Sequence, residues 1–327
     1  MVFQKAKYFE KHYLASHSGY FNFIIEAVKF AKKMGKIDIL VLDNRKATIP
    51  GFLIKKMLKP DVTIQDCREL YISHDTKRIV GKIGCFFEKI MIKHSDVIIA
   101  ANEDRARLMK EIYFLSEMPL VYENLRTLEY QRDPLDCEEK LKKYINLDEY
   151  RIVSTSGCSI SRTNDVLVKN ANLIDRNVRI LLIGESTTSD IKQIKTLIKD
   201  NCLNNVEIID NLDQSDLKWI ISNSHIGIVN YNQLDLNNKY CASGKLYEFI
   251  YEGIPVVTTE NPPLKKICSE HQVGISSDQY YDGINKILKN YDFYKDKIRG
   301  FVESNTVEDN NKKLTEELVK RIEKLGN

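Results

Sequence analysis

The chain has 327 residues, 43% of them hydrophobic and 29% charged; that is apolar enough for two buried cores and too apolar for a disordered chain. Gly 14 and Pro 7 exclude a collagen-like or linker-dominated protein, and no window of about 18 uncharged apolar residues marks a membrane span. The net charge of +3 is uneven, with 22 Lys and Arg against 16 Asp and Glu over residues 1–130, and 27 against 30 in the rest. No signal-peptide core is visible near the start. The seven cysteines (Cys67, Cys85, Cys137, Cys158, Cys202, Cys241 and Cys268) are scattered, odd in number and without a CxxC pair. A disulfide framework or zinc knuckle is therefore not expected, and a reducing cytoplasm is. The six histidines are dispersed, so no metal is expected.

Residues 20–34 repeat apolar positions at helical spacing, and Gly35 is a stop. Residues 37–42 form a short apolar run fit for a buried strand. A helix over 51–58, a strand over 62–64, a long helix over 79–93, a strand over 97–100, a helix over 103–113 and a strand over 120–122 follow. Between about 128 and 150 the pattern turns polar, with Pro134, and reads as a linker carrying one short helix. Strands are then predicted at 152–155, 180–183, 206–209, 226–229 and 256–259, with helices at 189–200, 214–222 and 245–251 and a charged amphipathic helix at 306–326. Strands alternating with helices imply parallel sheets covered on both faces. The expected architecture is α/β, two Rossmann-like doubly wound domains facing a cleft, with ligands beyond the carboxyl ends of the strands.

Residues 237–255 (NNKYCASGKLYEFIYEGIP) carry the strongest chemistry. Ser243-Gly244 opens a helix whose free N–H groups favour an anion, and Lys245 adds a full charge on its first turn. Glu248 shares the helix face and suits ribose hydroxyls; phosphate on the loop and sugar on the carboxylate together describe a nucleotide. The plain alternative is a surface ion pair at i, i+3. Residues 156–164 (SGCSISRTN) place Gly157 in a tight turn after a strand, and Gly184-Glu185-Ser186 follows the next strand. For Gly157 and Arg162 the alternatives are a turn glycine and a solvated loop arginine; Glu185 reads as surface.

With these residues in order, the segment resembles the donor-site motif of GT-B glycosyltransferases, the retaining family-4-like enzymes of bacterial polysaccharide and capsule synthesis. The resemblance implies that Lys245 and Arg162 hold the donor diphosphate, that Glu248 holds the ribose, and that Gly157, Gly184, Ser243 and Gly244 line the nucleotide. It departs at Tyr240, where many members carry a second glutamate. The first half is similar more loosely: residues 63–70 (TIQDCREL) resemble a family strand and loop, and residues 120–126 (LVYENLR) the strand that ends at an asparagine, here Asn124. The implied domains are 1–130 (acceptor side, shortened by about one βαβ unit), the linker 131–150, a donor domain 151–305 and the C-terminal helix 306–327. Asp66 and Arg68 are the further catalytic candidates, with Glu69, Asn44 and Arg45 weaker ones. A structural salt bridge with a helix-capping Asp66 is the alternative, and an arginine cannot act as a base.

The implied activity is transfer of a sugar from a nucleotide-diphosphate sugar to a glycan or lipid-linked saccharide, without metal or other cofactor. Helix 77–93, with Lys77, Arg78, Lys82, Lys89 and Lys93 opposed only by Glu88, suits an anionic membrane surface or, alternatively, an ordinary core face. Nucleic acid is not an expected partner; a homo-oligomer or a partner subunit completing the short domain is. Two other readings stay open: a non-catalytic transferase-like subunit, and a nucleotide-sugar epimerase, for which His74 and His225 are the histidines near expected cleft loops.

Overall fold

The structure is a computed structural model that describes residues 17–145 and 147–325. The chain forms two compact units, one of Met1–Glu123 with Glu308–Asn327 and one of Asn124–Val307. The boundaries therefore fall at Glu123/Asn124 and Val307/Glu308, rather than at 130 and 305.

The first unit runs α1 (His17–Met34), β1 (Ile39–Asp43), α2 (Thr48–Leu58), β2 (Val62–Cys67), α3 (Ile79–His94), β3 (Val97–Ala100), α4 (Glu103–Tyr113) and β4 (Leu120–Val121). Among the described residues its strands make one parallel sheet in the order β1-β2-β3-β4, with Asp43 opposite Asp66. The apolar run of β3 is buried throughout, as a central parallel strand must be. The expectation of a shortened domain turns partly on residues 1–16, which lie outside the described residues.

In α3 the helical period splits the apolar residues. Cys85, Glu88, Met91 and Ile92 turn inward, whereas Ile79, Val80, Ile83 and Phe86 face out. Glu88 therefore does not oppose the lysines. It is buried with both carboxylate oxygens unpartnered, and burial pushes its pKa up to about 8. Lys77, Arg78, Lys82, Lys89 and Lys93 are all exposed.

The second unit runs α5 (Pro134–Leu141), β5 (Tyr150–Ser154), α6 (Asn164–Lys169), β6 (Val178–Ile183), α7 (Thr188–Asp200), β7 (Val206–Ile209), α8 (Gln214–Ser222), β8 (Ile226–Val229), α9 (Leu236–Lys239), α10 (Gly244–Tyr251), β9 (Val256–Thr258), α11 (Pro262–His271), β10 (Gly274–Ser276), α12 (Tyr280–Lys289) and α13 (Tyr291–Ser304). All pairings are parallel, in the order β10-β9-β8-β5-β6-β7. Alternate residues of one strand feed opposite faces. Val153, Leu181 and Ile183 pack with Phe249, Ile250 and Trp219, while Ile152, Ile180 and Leu182 pack with Leu167, Ile194 and Ile284. The order reverses between β5 and β8, which makes their carboxyl ends the place for a ligand.

Three segments differ from the sequence reading. Residues 131–145, read as a linker with one short helix, do carry that helix, α5, but its Cys137 and Leu141 are buried in the second core. Residues 262–271, to which the sequence reading assigns no element, form α11, started by Pro262 and Pro263 at positions that need no N–H partner. The closing helix α14 (Val307–Leu325) returns to the first unit, where Leu314, Leu318 and Ile322, four residues apart, pack on Val62, Ile64, Val97, Ile99 and Leu120.

Asp216 fastens α5 to α8. Its side chain is fully buried and accepts from Arg132 and Lys140, and its backbone N–H donates to the capping Asp213 at 3.0 Å. Burial raises its pKa, but Lys140 and Arg132 outweigh burial and leave it below the usual range. Its stabilisation is present above the unfolded carboxyl pKa and is lost as pH falls through the lowered folded value. Asp216→Ala should cost about 2 kcal/mol, because the partly exposed cations left behind can rehydrate. Urea unfolding followed by the single tryptophan, Trp219 in the second core, checks this. An unchanged midpoint would show that the ion pairs of Asp216 with Arg132 and Lys140 contribute nothing to the unit's stability.

Candidate functional site

Three loops meet at the β5/β8 reversal. After β5 the chain turns at Gly157, whose φ is +57°; a Cβ there would stand 2.4 Å from Ser186 Oγ and 2.7 Å from the Gly184 carbonyl. Only glycine permits both that backbone and that approach. The two turns are knitted by Gly157 N–H to Ile183 O at 2.8 Å and Cys158 N–H to Ser186 Oγ at 2.7 Å. Under them Asn164 and Asn230 are buried. Asn164 Nδ2 donates to Gly157 O at 2.6 Å, and Asn164 Oδ1 accepts from Ser154 Oγ at 3.0 Å and from Asn230 Nδ2 at 2.7 Å. Such a satisfied buried network fixes a loop in one conformation.

Helix α10 completes the site. Ser243 caps it, with Oγ accepting from Leu246 N–H at 3.4 Å. Lys245 reaches back over the β5 loop, and its Nζ donates to Thr155 O at 2.7 Å and Ser156 Oγ at 3.0 Å. Thr155 Oγ1 beside it is buried without a hydrogen-bond partner. Burial, aided by the nearby Arg162 and Arg126 charges, lowers the Lys245 pKa to about 8, and only Glu248 pulls the other way. The Arg162 guanidinium lies 4.1 Å over the Tyr231 ring and donates to Asn238 Oδ1 at 3.4 Å. Glu248 is buried one turn along α10, and Arg126 Nε donates to its Oε1 at 2.9 Å. Burial raises the Glu248 pKa, with Arg126 and Lys245 opposing.

The structure thus brings Gly157, Arg162, Gly184, Ser243, Gly244, Lys245 and Glu248 to the loops after β5 and β6 and the start of α10, at the carboxyl end of one sheet. Lys245 has Arg162 and Arg126 as nearby cations, and a single carboxylate, Glu248, faces it; that excess of positive charge is an anion-binding arrangement. Glu185 is exposed beside it, and Tyr240 follows the short α9. The sequence reading passed over Asn164, Asn230, Tyr231 and Arg126. Asn230 and Tyr231 had a usable signal, since they follow a strand directly. Arg126, 122 positions from its partner, had none.

In the first unit, Asp66 and Arg68 stand at the carboxyl end of β2. Arg68 Nε lies 2.9 Å from Asp43 Oδ1 and 3.6 Å from Asp66 Oδ2, so two carboxylates already neutralise it. Burial raises the Asp66 pKa, and Arg68 counters it. Asn44 holds a left-handed φ of +60° and accepts from Arg45 N–H at 2.8 Å; Arg45 stacks 3.9 Å over the Tyr71 ring. Of the histidines weighed for epimerase chemistry, His74 is exposed beside Asp75. His225 accepts from Arg151 N–H at 3.0 Å, and burial first, then Arg151, lowers its pKa to about 4.

No family model and no curated protein matches the chain. Solved structures do. HepE of Anabaena in complex with UDP aligns at a TM-score of 0.69 with 13% identity, over 91% of this chain and 82% of that one. A glycosyltransferase from Rickettsia africae aligns at 0.67 with 17% identity, over 97% and 84%. A UDP-N-acetylglucosamine 2-epimerase aligns at 0.53 with 12% identity, over 86% and 71%. With two parallel α/β units whose strands and helices follow these structures, the chain has the GT-B fold.

Proposed function

We propose that the chain is a glycosyltransferase that moves a sugar from a nucleoside-diphosphate donor to a glycan or lipid-linked saccharide, with retention at the sugar carbon, in cell-surface polysaccharide synthesis. The observation that carries the reading is a desolvated Lys245 on the first turn of α10, with Arg162 near it and a buried carboxylate one turn on. UDP in the HepE complex makes uridine the first base to try.

In this reading Lys245 and Arg162 bind the diphosphate, and Glu248 accepts from the ribose hydroxyls. As the bond from the sugar carbon to the diphosphate oxygen breaks, negative charge grows on the leaving group, where both cations stabilise it. The acceptor oxygen forms the new bond and its proton passes to a diphosphate oxygen, so no side-chain base is required. The cations supply the charge neutralisation that a metal would otherwise give, so chelators leave the activity intact.

The epimerase-like neighbour gives a second reading some support, but His225 is locked in a packing role. Incubation with donor alone separates the two. An epimerase yields a new sugar isomer, whereas a transferase needs an acceptor. Transfer by the purified chain also removes the non-catalytic subunit reading.

UDP, GDP and ADP should raise the thermal midpoint for the matching base. Lys245→Ala should abolish the shift and lower kcat/KM by roughly 100-fold. A full shift in that variant contradicts the site. Affinity for the same nucleotide should fall as pH rises above about 8, by at most about tenfold per unit, because the free site's lysine then loses its proton. Lys245→Gln should flatten that slope, and a slope that persists would assign the titration to another group.

The outward face of α3 carries Ile79, Val80, Ile83 and Phe86 among five exposed basic residues, which suits peripheral contact with an anionic leaflet on the cytoplasmic side. Among the described residues no helix is long and apolar enough to cross a membrane. Cosedimentation should be seen with phosphatidylglycerol vesicles and not with phosphatidylcholine alone, and Phe86→Asp should reduce it. Equal binding to both, or none, contradicts this contact.

A further inference from the structure

Arg126 lies in the segment between β4 and α5, and the reading above gives it no part in the reaction. Its position is well fixed all the same. Asn124 Nδ2, two residues earlier, donates to Ala242 O at 3.0 Å. A Cβ built on Gly244 would stand 3.2 Å from Asn124 Nδ2 and 3.3 Å from Arg126 Cδ. The segment is therefore seated on the first turn of α10, and the close approach uses the missing side chain of Gly244. From there Arg126 Nε donates to Glu248 Oε1 at 2.9 Å; the arginine is 65% exposed and the glutamate 5%.

This pair makes physical sense only through what Glu248 must do. A buried carboxylate is pushed toward its neutral form, and two groups resist that here, Arg126 and Lys245. A bound diphosphate would take up much of the Lys245 charge. Arg126, held on the carboxylate, would then be its remaining counter-ion. One contact to Oε1 leaves Oε2 and further lone pairs for hydroxyl donors.

We propose that Arg126 is a positioning residue of the nucleotide site, which holds Glu248 as a charged, oriented acceptor and thereby sets the preference for ribose over sugars that lack the 2′ and 3′ hydroxyls. The proposal rests on the nucleotide reading of this site. The charged groups facing Glu248 are Arg126 and Lys245. Arg162 acts on Lys245, and from α13, packed on α10, Lys295 reaches only Gly253 O at the far end of the helix. The strands behind, β8 and β9, contain no charged residue.

The test is calorimetric binding of UDP, GDP and ADP and of their 2′,3′-dideoxy forms, at about pH 6 and about pH 7.5. Arg126→Ala should weaken the matching nucleotide roughly tenfold, and more at the lower pH, because the carboxyl takes up a proton more readily without its counter-ion. It should leave the dideoxy form unchanged. Arg126→Lys should restore most of the loss. Arg126→Gln replaces the alanine variant if that one fails to fold. An equal loss for both ligands would make Arg126 a diphosphate contact, and tighter nucleotide binding would make it a competitor for Glu248. Either result, or no change, overturns the proposal. If wild type binds none of the nucleotides, or Glu248→Gln discriminates the two sugars as well as wild type does, the nucleotide reading itself falls and takes this proposal with it.

Discussion

Lys245 keeps its ammonium where burial and two arginines all disfavour a charge, and the surrounding loops are shaped to hold it there. Lowering the pKa of a lysine from 10.5 to about 8 corresponds to a cost on the order of 3 kcal/mol at neutral pH. Within the unit that cost is only partly offset, by Thr155 O and Ser156 Oγ. Those two acceptors stay in place because Gly157 turns the chain back and because Asn164 and Asn230 satisfy each other beneath it. A polyanion brought to this point would relieve the unfavourable charge, so the cost of holding the ammonium here would be recovered as affinity for that anion.

The two units differ in what their topology offers. In the second, the order β10-β9-β8-β5-β6-β7 reverses at β5/β8, the point at which doubly wound sheets take ligands at their strand ends. In the first, the described strands run in sequence without a reversal. Its strand-end arginine, Arg68, is already paired with both Asp43 and Asp66. The unbalanced charge of that unit lies instead on α3, where burial of Glu88 leaves the outer face basic.

The central strands were legible because parallel strands buried on both faces appear as short unbroken apolar runs; residues 97–100 and 226–229 match their observed bounds, and so do residues 206–209 at the sheet edge, where Glu207 interrupts the run. Lys245 and Glu248 were legible because cap, cation and carboxylate all lie within one helix. What the sequence hid depends on distant partners. Cys137 and Leu141 look incidental in a polar stretch until α8 is placed beside them. The destination of α14 is set by the sheet of the first unit, and the inward turn of Glu88 by which face of α3 packs against its neighbours α2 and α4. Arg126 gains meaning only from Gly244 and Glu248, far along the chain.

A crystal structure of the chain with the nucleoside diphosphate it binds tests the central claim most directly. The account requires diphosphate oxygens within hydrogen-bonding distance of Lys245 Nζ and the Arg162 guanidinium, with the ribose hydroxyls on Glu248. A nucleotide bound elsewhere, with Lys245 still committed to Thr155 and Ser156 and no anion near it, would contradict it.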